Sequence, residues 1–447
     1  MRGLWSTLAL IVVLAALGAY IYFVTWKKTP DTASTQEKVF VGFAADKVEE
    51  LKVTSDKGDV TTLKKANGAW QIVAPVTASA DESEVSGLVS ALGQLSVVRV
   101  VDENPSDLKD YGLVSPRLEV DYKPAGATDY QRILVGDKSP TGSDLFAKRN
   151  SDKRVFLIPA TQETTFNKGT FELRDKVVLK FERDKVDGID VTADGKALQF
   201  AKDNTDWKLT QPLQARADYG SVEGLIGRLQ TTAMKSLVAD NASPADLKKY
   251  GLDKPAVTVE LKMGSARATF AVGGKAEGNT VYARDVSKTA VVTVDGMLAD
   301  ELKKGAGEYR RKDVFEFRPF NATRLEITRG SQTVAFEKVK GDGKDAVDKW
   351  KRVSPAADAD KDKMDSLLSR LSNMRATAFV DASAKTGLDQ PVMIVSAKFD
   401  DGKKEERVTF GKAGADVYVS KPGEPGAAKV DATDLTEATK TLDELSK

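Results

Sequence analysis

Tyr111-Gly112-Leu113-Val114-Ser115-Pro116 recurs as Tyr250-Gly251-Leu252-Asp253-Lys254-Pro255 and, with its aromatic lost, as Thr386-Gly387-Leu388-Asp389-Gln390-Pro391. The turn glycines stand 139 and 136 residues apart. Upstream of each turn a Trp is followed five positions on by Pro, at Trp70/Pro75, Trp207/Pro212 and Trp350/Pro355, and the Trp offsets are 137 and 143. Farther upstream Phe43, Phe181 and Phe317 keep offsets of 138 and 136. One ancestral domain has been triplicated. The glycine in each turn reads as a positive-φ cap after a short helix, and the Pro as the start of a strand, where a missing donor costs nothing. Each Trp reads as a core anchor rather than an exposed ligand platform, because Trp is highly buried on average.

Around these anchors the hydrophobic period alternates. VFVGF (39–43), VEELKV (48–53), VTTLKK (60–65) and WQIV (70–73) are rich in β-branched and aromatic residues and read as strands. After Pro75 the spacing of Val85, Leu88, Leu92 and Leu95 predicts an amphipathic helix, capped by Asp81 or Ser79. Val222, Leu225 and Leu229, then Met364, Leu367 and Leu371, are its counterparts. Asn104-Pro105 and Ser243-Pro244 place a capping residue before Pro and predict a short helix ahead of the Gly-Leu turn in the first two copies. LEVDY (118–122), RILVG (132–136), LFAKR (145–149) and VFLIP (155–159) complete the first copy as strands, matched in the second by VTVEL, ATFAVG, VYARD and VVTV. A closing helical segment carries Arg174 and Arg310 at equivalent positions. The expected fold class is α+β: three tandem repeats of an antiparallel sheet with a few helices, at 38–176, 177–312 and 313–447. Little chain separates one copy from the next, so the array is expected to be rigid.

Length agrees with the repeat, since 447 residues exceed one core and suggest about three domains. Lys and Arg total 67 against 66 for Asp and Glu, which leaves no net field to draw the chain to nucleic acid. The chain has no Cys and no His. Thiol nucleophiles, disulfides, Cys-type zinc sites and the commonest general base are therefore excluded. Only Asp/Glu, Lys, Tyr or Ser/Thr chemistry remains, and no catalytic, cofactor-binding or metal residue is expected. Val135-Gly136-Asp137-Lys138 and Val272-Gly273-Gly274-Lys275 lack phosphate-loop spacing and read as hairpin turns. Asp81/Glu82/Glu84 and Asp358/Asp360/Asp362 lack EF-hand spacing and read as solvated helix starts. The loop at 339–351 is longer than its counterparts, either as a docking site or as a tolerated insertion.

The N-terminus carries a different signal. Leu4 to Trp26 is uncharged, and 23 helical residues span about 34 Å, enough for a hydrocarbon core of about 30 Å. Trp5, Tyr20, Tyr22 and Trp26 lie toward its ends, as in an aromatic belt. The apolar run outlasts the small-residue site at Ala16-Leu17-Gly18, which favours an uncleaved anchor over a signal peptide. Arg2 against Lys27 and Lys28 is a near tie in charge. Three residues before the anchor (1–3) are most easily left in the cytoplasm, which places the bulk of the chain in the periplasm. Residues 27–37 read as a flexible linker, with Pro30 and several Thr/Ser.

The N-terminal anchor with the Trp-x4-Pro, Tyr-Gly-Leu-x-x-Pro and Val-Gly strand-end motifs resembles the bacterial family known as domain of unknown function 4340, across residues 38–447. The resemblance implies a single-pass inner-membrane protein with its bulk outside the cytoplasm, of a kind often encoded beside ABC-2-type permease and ATPase components, including gliding-motility-type systems. It supplies no catalytic residues. The expected function is a non-enzymatic accessory subunit of an ABC transport system, with permease and ATPase partners and a cell-wall or outer-membrane contact. The alternative is a stand-alone envelope scaffold or adhesin without a transporter. Neither reading calls for a cofactor.

Overall fold

The computed structural model describes residues 37–341 and 348–447. The expected anchor (4–26), the residues before it, the linker up to residue 36 and the centre of the 339–351 loop lie outside the described residues. Among the described residues no helix is long and apolar enough to cross a membrane. The chain divides between Lys176 and Val177 into two compact units.

The first unit holds one sheet of nine strands: β1 (Val48–Thr54), β2 (Val60–Ala66), β3 (Ala69–Ala74), β4 (Ala78–Ser79), β5 (Arg99–Asp102), β6 (Leu118–Pro124), β7 (Gln131–Lys138), β8 (Asp144–Arg149) and β9 (Val155–Pro159). Its order is β4-β3-β2-β1-β6-β7-β8-β9-β5, with antiparallel pairing throughout. The second unit holds two further nine-stranded antiparallel sheets in the same order, one between residues 188 and 295 and one between 322 and 430. The triplication read from the turns is thus a triplication of sheet topology.

Alternation sets the buried face. In β1, Val48, Leu51 and Val53 are buried, and in β6 Leu118, Val120 and Tyr122 are, as a half-covered antiparallel sheet requires. Helix α1 (Glu82–Gln94) covers this face with Val85, Leu88, Val89 and Leu92. Full burial of such a side chain stabilises by about 1.5–3 kcal/mol. Asp81 caps α1 by accepting from the backbone N–H of Ser83 and Glu84. Asp218 and Asp360 cap the equivalent helices Tyr219–Thr231 and Lys361–Ser372. The shorter α2 (Gln162–Phe166) and α3 (Thr170–Leu173) add Phe166 and Leu173 to the core. Trp70, Trp207 and Trp350 are buried in all three copies, and each following X-Pro bond is cis.

Two motifs prove to be one packing element. Gly112 caps a 3-10 turn (Lys109–Tyr111) with φ +64°, the left-handed region that favours glycine. Gly136 lies opposite it in β7, where an added Cβ would collide with the Tyr111 carbonyl oxygen. The same interlock joins Gly251 to Gly273, and Gly387 to Gly411. The Gly-Leu turn and the Val-Gly strand end therefore need glycine because they press on each other.

Several expectations change. Val135–Lys138 and Val272–Lys275 are not hairpin turns but irregularities within continuous strands, where the register shifts to admit the turn. Asn104-Pro105 does not start a helix, since the first copy has only the turn at Lys109–Tyr111. Ser243 does cap one, Pro244–Lys249, through a capping box with Asp246. VFVGF is no strand. Lys38, just before it, bridges to Ser96, and Val39 N donates to Leu95 O before the chain turns at Gly42. Glu37, assigned to the linker, is held by Arg154 Nη2 at 2.7 Å.

Candidate functional site

Residues 309–314, within the second unit, join its two sheets and are hydrogen-bonded on both sides. Toward the second repeat, Asp218 N donates to Tyr309 O (2.7 Å) and Arg311 N to Arg216 O (3.0 Å). Toward the third, Val314 N donates to Met374 O (3.1 Å) and Ala376 N to Lys312 O (2.7 Å). Each half of the connector thus forms one antiparallel bridge to a neighbour, Arg310 to Ala217 and Asp313 to Arg375. Glu37–Val39 copies the second half in the first unit, where Val97 N donates to Glu37 O and Val39 N to Leu95 O.

The corner between β8 and β9 distinguishes the copies. In the first, Asp152 accepts from Arg154 (2.8 Å) and lies 3.5 Å from Arg149, which donates to the Val39 carbonyl (2.8 Å). In the second the signs are exchanged: Asp285 and Lys288 pair at 3.1 Å, and Lys288 donates to the Val178 carbonyl (3.2 Å). Lys421 and Glu424 hold these positions in the third copy, but each faces other partners. Lys421 Nζ donates to Glu316 (3.0 Å) and to Glu406 (2.7 Å). Glu424 accepts from Arg216 Nε (2.6 Å) and lies 3.6 Å from Arg310, both from the second repeat. Arg216 also donates to Glu316 (2.6 Å).

The outcome is a chain of charges across the junction of the second and third repeats. Glu406, 6% exposed, anchors one end by accepting from the backbone N–H of Glu316 and Phe317. Burial would push the Glu316 carboxyl up, but Lys421 and Arg216 outweigh it and hold the group below its ordinary range. Arg310, 5% exposed, stacks on the Phe379 ring at 3.9 Å and donates through Nη2 to the Pro425 carbonyl (3.0 Å). Burial lowers its pKa against the pull of Glu424. A half-open cavity of about 40 Å³ lies here, lined by Arg216, Arg310, Arg311, Lys312, Lys421 and Glu424 among others. The cluster holds cations and carboxylates but no nucleophile set against a base. Its chemistry is electrostatic fastening.

Sequence reasoning singled out Arg310 but missed Arg216, Glu316, Glu406, Lys421 and Glu424. A further place of interest, the degraded turn at Thr386, is structurally distinct. In the first two copies a tyrosine fills this position: Tyr111 packs edge-on against Phe146 at 5.1 Å, and Tyr250 lies tilted at 38° against Tyr282 at 4.5 Å. Thr386 leaves a shallow hollow of about 680 Å³ bordered by Asp381, Lys385 and Asp389. The carboxylate clusters serve their helices: Glu82 accepts from Trp70 N (2.6 Å), and Glu84 pairs with Lys168 (2.8 Å). Among the described residues no group of three His, Cys, Asp or Glu is placed to hold a metal ion.

A family model described as a domain of unknown function, DUF4340, matches residues 70–212, 207–391 and 350–447. No curated protein matches the chain. The first two matches run from the Trp of one repeat past the Trp of the next, so each contains a connector; the three together extend from Trp70 to Lys447. The chain belongs to the DUF4340 family.

Proposed function

We propose that the chain is a non-enzymatic accessory subunit of an ABC-2-type transport system, held in the bacterial inner membrane by residues 4–26 with its repeats in the periplasm. The observation that carries this reading is how the repeated residues are used. The Trp, the Gly-Leu turn and the Val-Gly strand end all pack the sheets, and the connector binds the second repeat to the third. What has been copied is a scaffold, and a scaffold acts through the partners it positions. The 23 uncharged residues at 4–26 supply the tether, and the partners are permease and ATPase subunits, because the chain contains no GxxxxGK[ST] motif of its own.

Purification of the tagged full chain from membranes in mild detergent, followed by mass spectrometry, tests the proposal. Recovery of a permease or ATPase in stoichiometric yield is the expected result. Recovery of the chain alone, or only with wall or outer-membrane proteins, would replace it with a stand-alone envelope scaffold.

A further inference from the structure

We infer that the junction between the second and third repeats binds one small monovalent anion, no larger than a carboxylate, against the Nε–H of Arg310. Three observations converge. Arg310 is 5% exposed, and its Nε is buried with no hydrogen-bond partner among the described residues. Leaving a buried charged donor unpaired is costly, so such a group marks a place where a partner belongs. The guanidinium is also fixed: Nη2 is held by the Pro425 carbonyl, Glu424 lies at 3.6 Å, and Phe379 stacks on it. It cannot turn to satisfy Nε elsewhere without losing these contacts.

The second observation is room. The cavity that Arg310 lines measures about 40 Å³, more than the roughly 10–15 Å³ that one water requires. The third is charge. Arg216 and Lys421 on its wall are each held by two carboxylates, Arg216 by Glu316 and Glu424 and Lys421 by Glu316 and Glu406. The carboxylate nearest Arg310 is Glu424, at 3.6 Å and already bound by Arg216 at 2.6 Å, and Asp313 is engaged by Arg375 at 3.3 Å and Arg311 at 3.4 Å. A single negative charge therefore meets an unpaired N–H on a guanidinium whose nearest carboxylate is out of hydrogen-bond reach. The anion stands between the two repeats and adds to their fastening.

Bromide is the probe. Crystals of the full chain soaked in bromide are expected to show an anomalous peak within about 3.5 Å of Arg310 Nε, the reach of a charge-assisted contact to a large anion. Featureless anomalous density there, with a water filling the cavity, overturns the inference. In solution, exchanging gluconate for chloride at fixed ionic strength is expected to raise the Tm of the detergent-solubilised full chain by about 3 °C once chloride exceeds its Kd tenfold. Arg310→Lys, which lacks Nε–H, should abolish that rise, whereas Arg149→Lys at the corner of the first repeat should keep it. An equal rise in native protein and Arg310→Lys also overturns the inference. Should Arg310→Lys fail to fold, the bromide peak in the native chain still decides the matter.

Discussion

The corner after β8 in the first repeat and its counterpart in the third contain the same two kinds of charge on the same backbone. In the first, Asp152 is bound locally, by Arg154 at 2.8 Å and with Arg149 at 3.5 Å, beside the incoming chain. In the third, Lys421 and Glu424 turn apart, one toward Glu316 and Glu406 and the other toward Arg216 and Arg310. Opening one local ion pair thus yields a junction, with no change of sheet topology. The carboxylates of the two corners are similarly buried, with the Asp152 side chain 12% and that of Glu424 18% exposed, but the Arg149 and Arg154 side chains are each 25% exposed whereas Arg310 is buried. A cation so buried loses much when a partner is removed.

The largest expected effect probes what the copies share. Trp70→Ala, Trp207→Ala and Trp350→Ala should each destabilise their own unit by about 4 kcal/mol in urea unfolding, because each removes a buried aromatic of the same sheet position. A loss under about 1 kcal/mol in any copy would break the equivalence of the cores. Next comes the corner itself. Glu424→Ala leaves Arg310 buried beside Arg216 and should cost about 3 kcal/mol. Asp152→Ala leaves Arg154 its bonds to Glu37 and Arg149 its bond to the Val39 carbonyl, and should cost about 1 kcal/mol. Equal costs would erase the difference between the two corners.

Gly136→Ala tests the interlock with the Gly-Leu turn and should cost about 2 kcal/mol, because the new methyl meets the Tyr111 carbonyl, a backbone atom that cannot swing aside. The smallest effect is acid sensitivity of the first unit. Lys123 first, then Tyr130 and Lys64, hold the Glu50 carboxyl down at about 2, against burial. The folded pKa is depressed, so this stabilisation is complete above about pH 4.5 and is lost as pH falls toward 2. Glu50→Gln should therefore flatten the acid limb of the first unit's stability curve by about 1 kcal/mol. In the third repeat Arg324 holds the matching register, opposite Glu337 as Glu50 is opposite Lys64. Arg324→Gln should leave the acid limb of the first unit untouched.

The parts legible in the sequence were those enforced by local spacing. Trp-x4-Pro survived in all three copies because a buried Trp tolerates little else, and the face Val85, Leu88 and Leu92 follows from helical period alone. VFVGF misled because β-branched and aromatic residues also suit a buried non-strand segment, as Val39 and Phe40 show. Val-Gly-Asp-Lys misled because a Gly inside a strand looks like a turn until its neighbour across space is known. The junction was least legible. Arg216 and Glu424 are 208 positions apart, and with 30% of residues charged no pair stands out. Arg310 was visible only because the first copy has Arg174 at the matching place.

The two-sided bonding of residues 309–314 also bears on how such a chain gains or loses copies. A recombination breakpoint inside this segment would part donors from acceptors on one side, and the hybrid would carry an unpaired edge. A breakpoint in the hairpin ahead of a Trp strand cuts no junction. Copy number can therefore change through that hairpin in whole steps, each new sheet arriving with its own connector and the backbone partners that hold it.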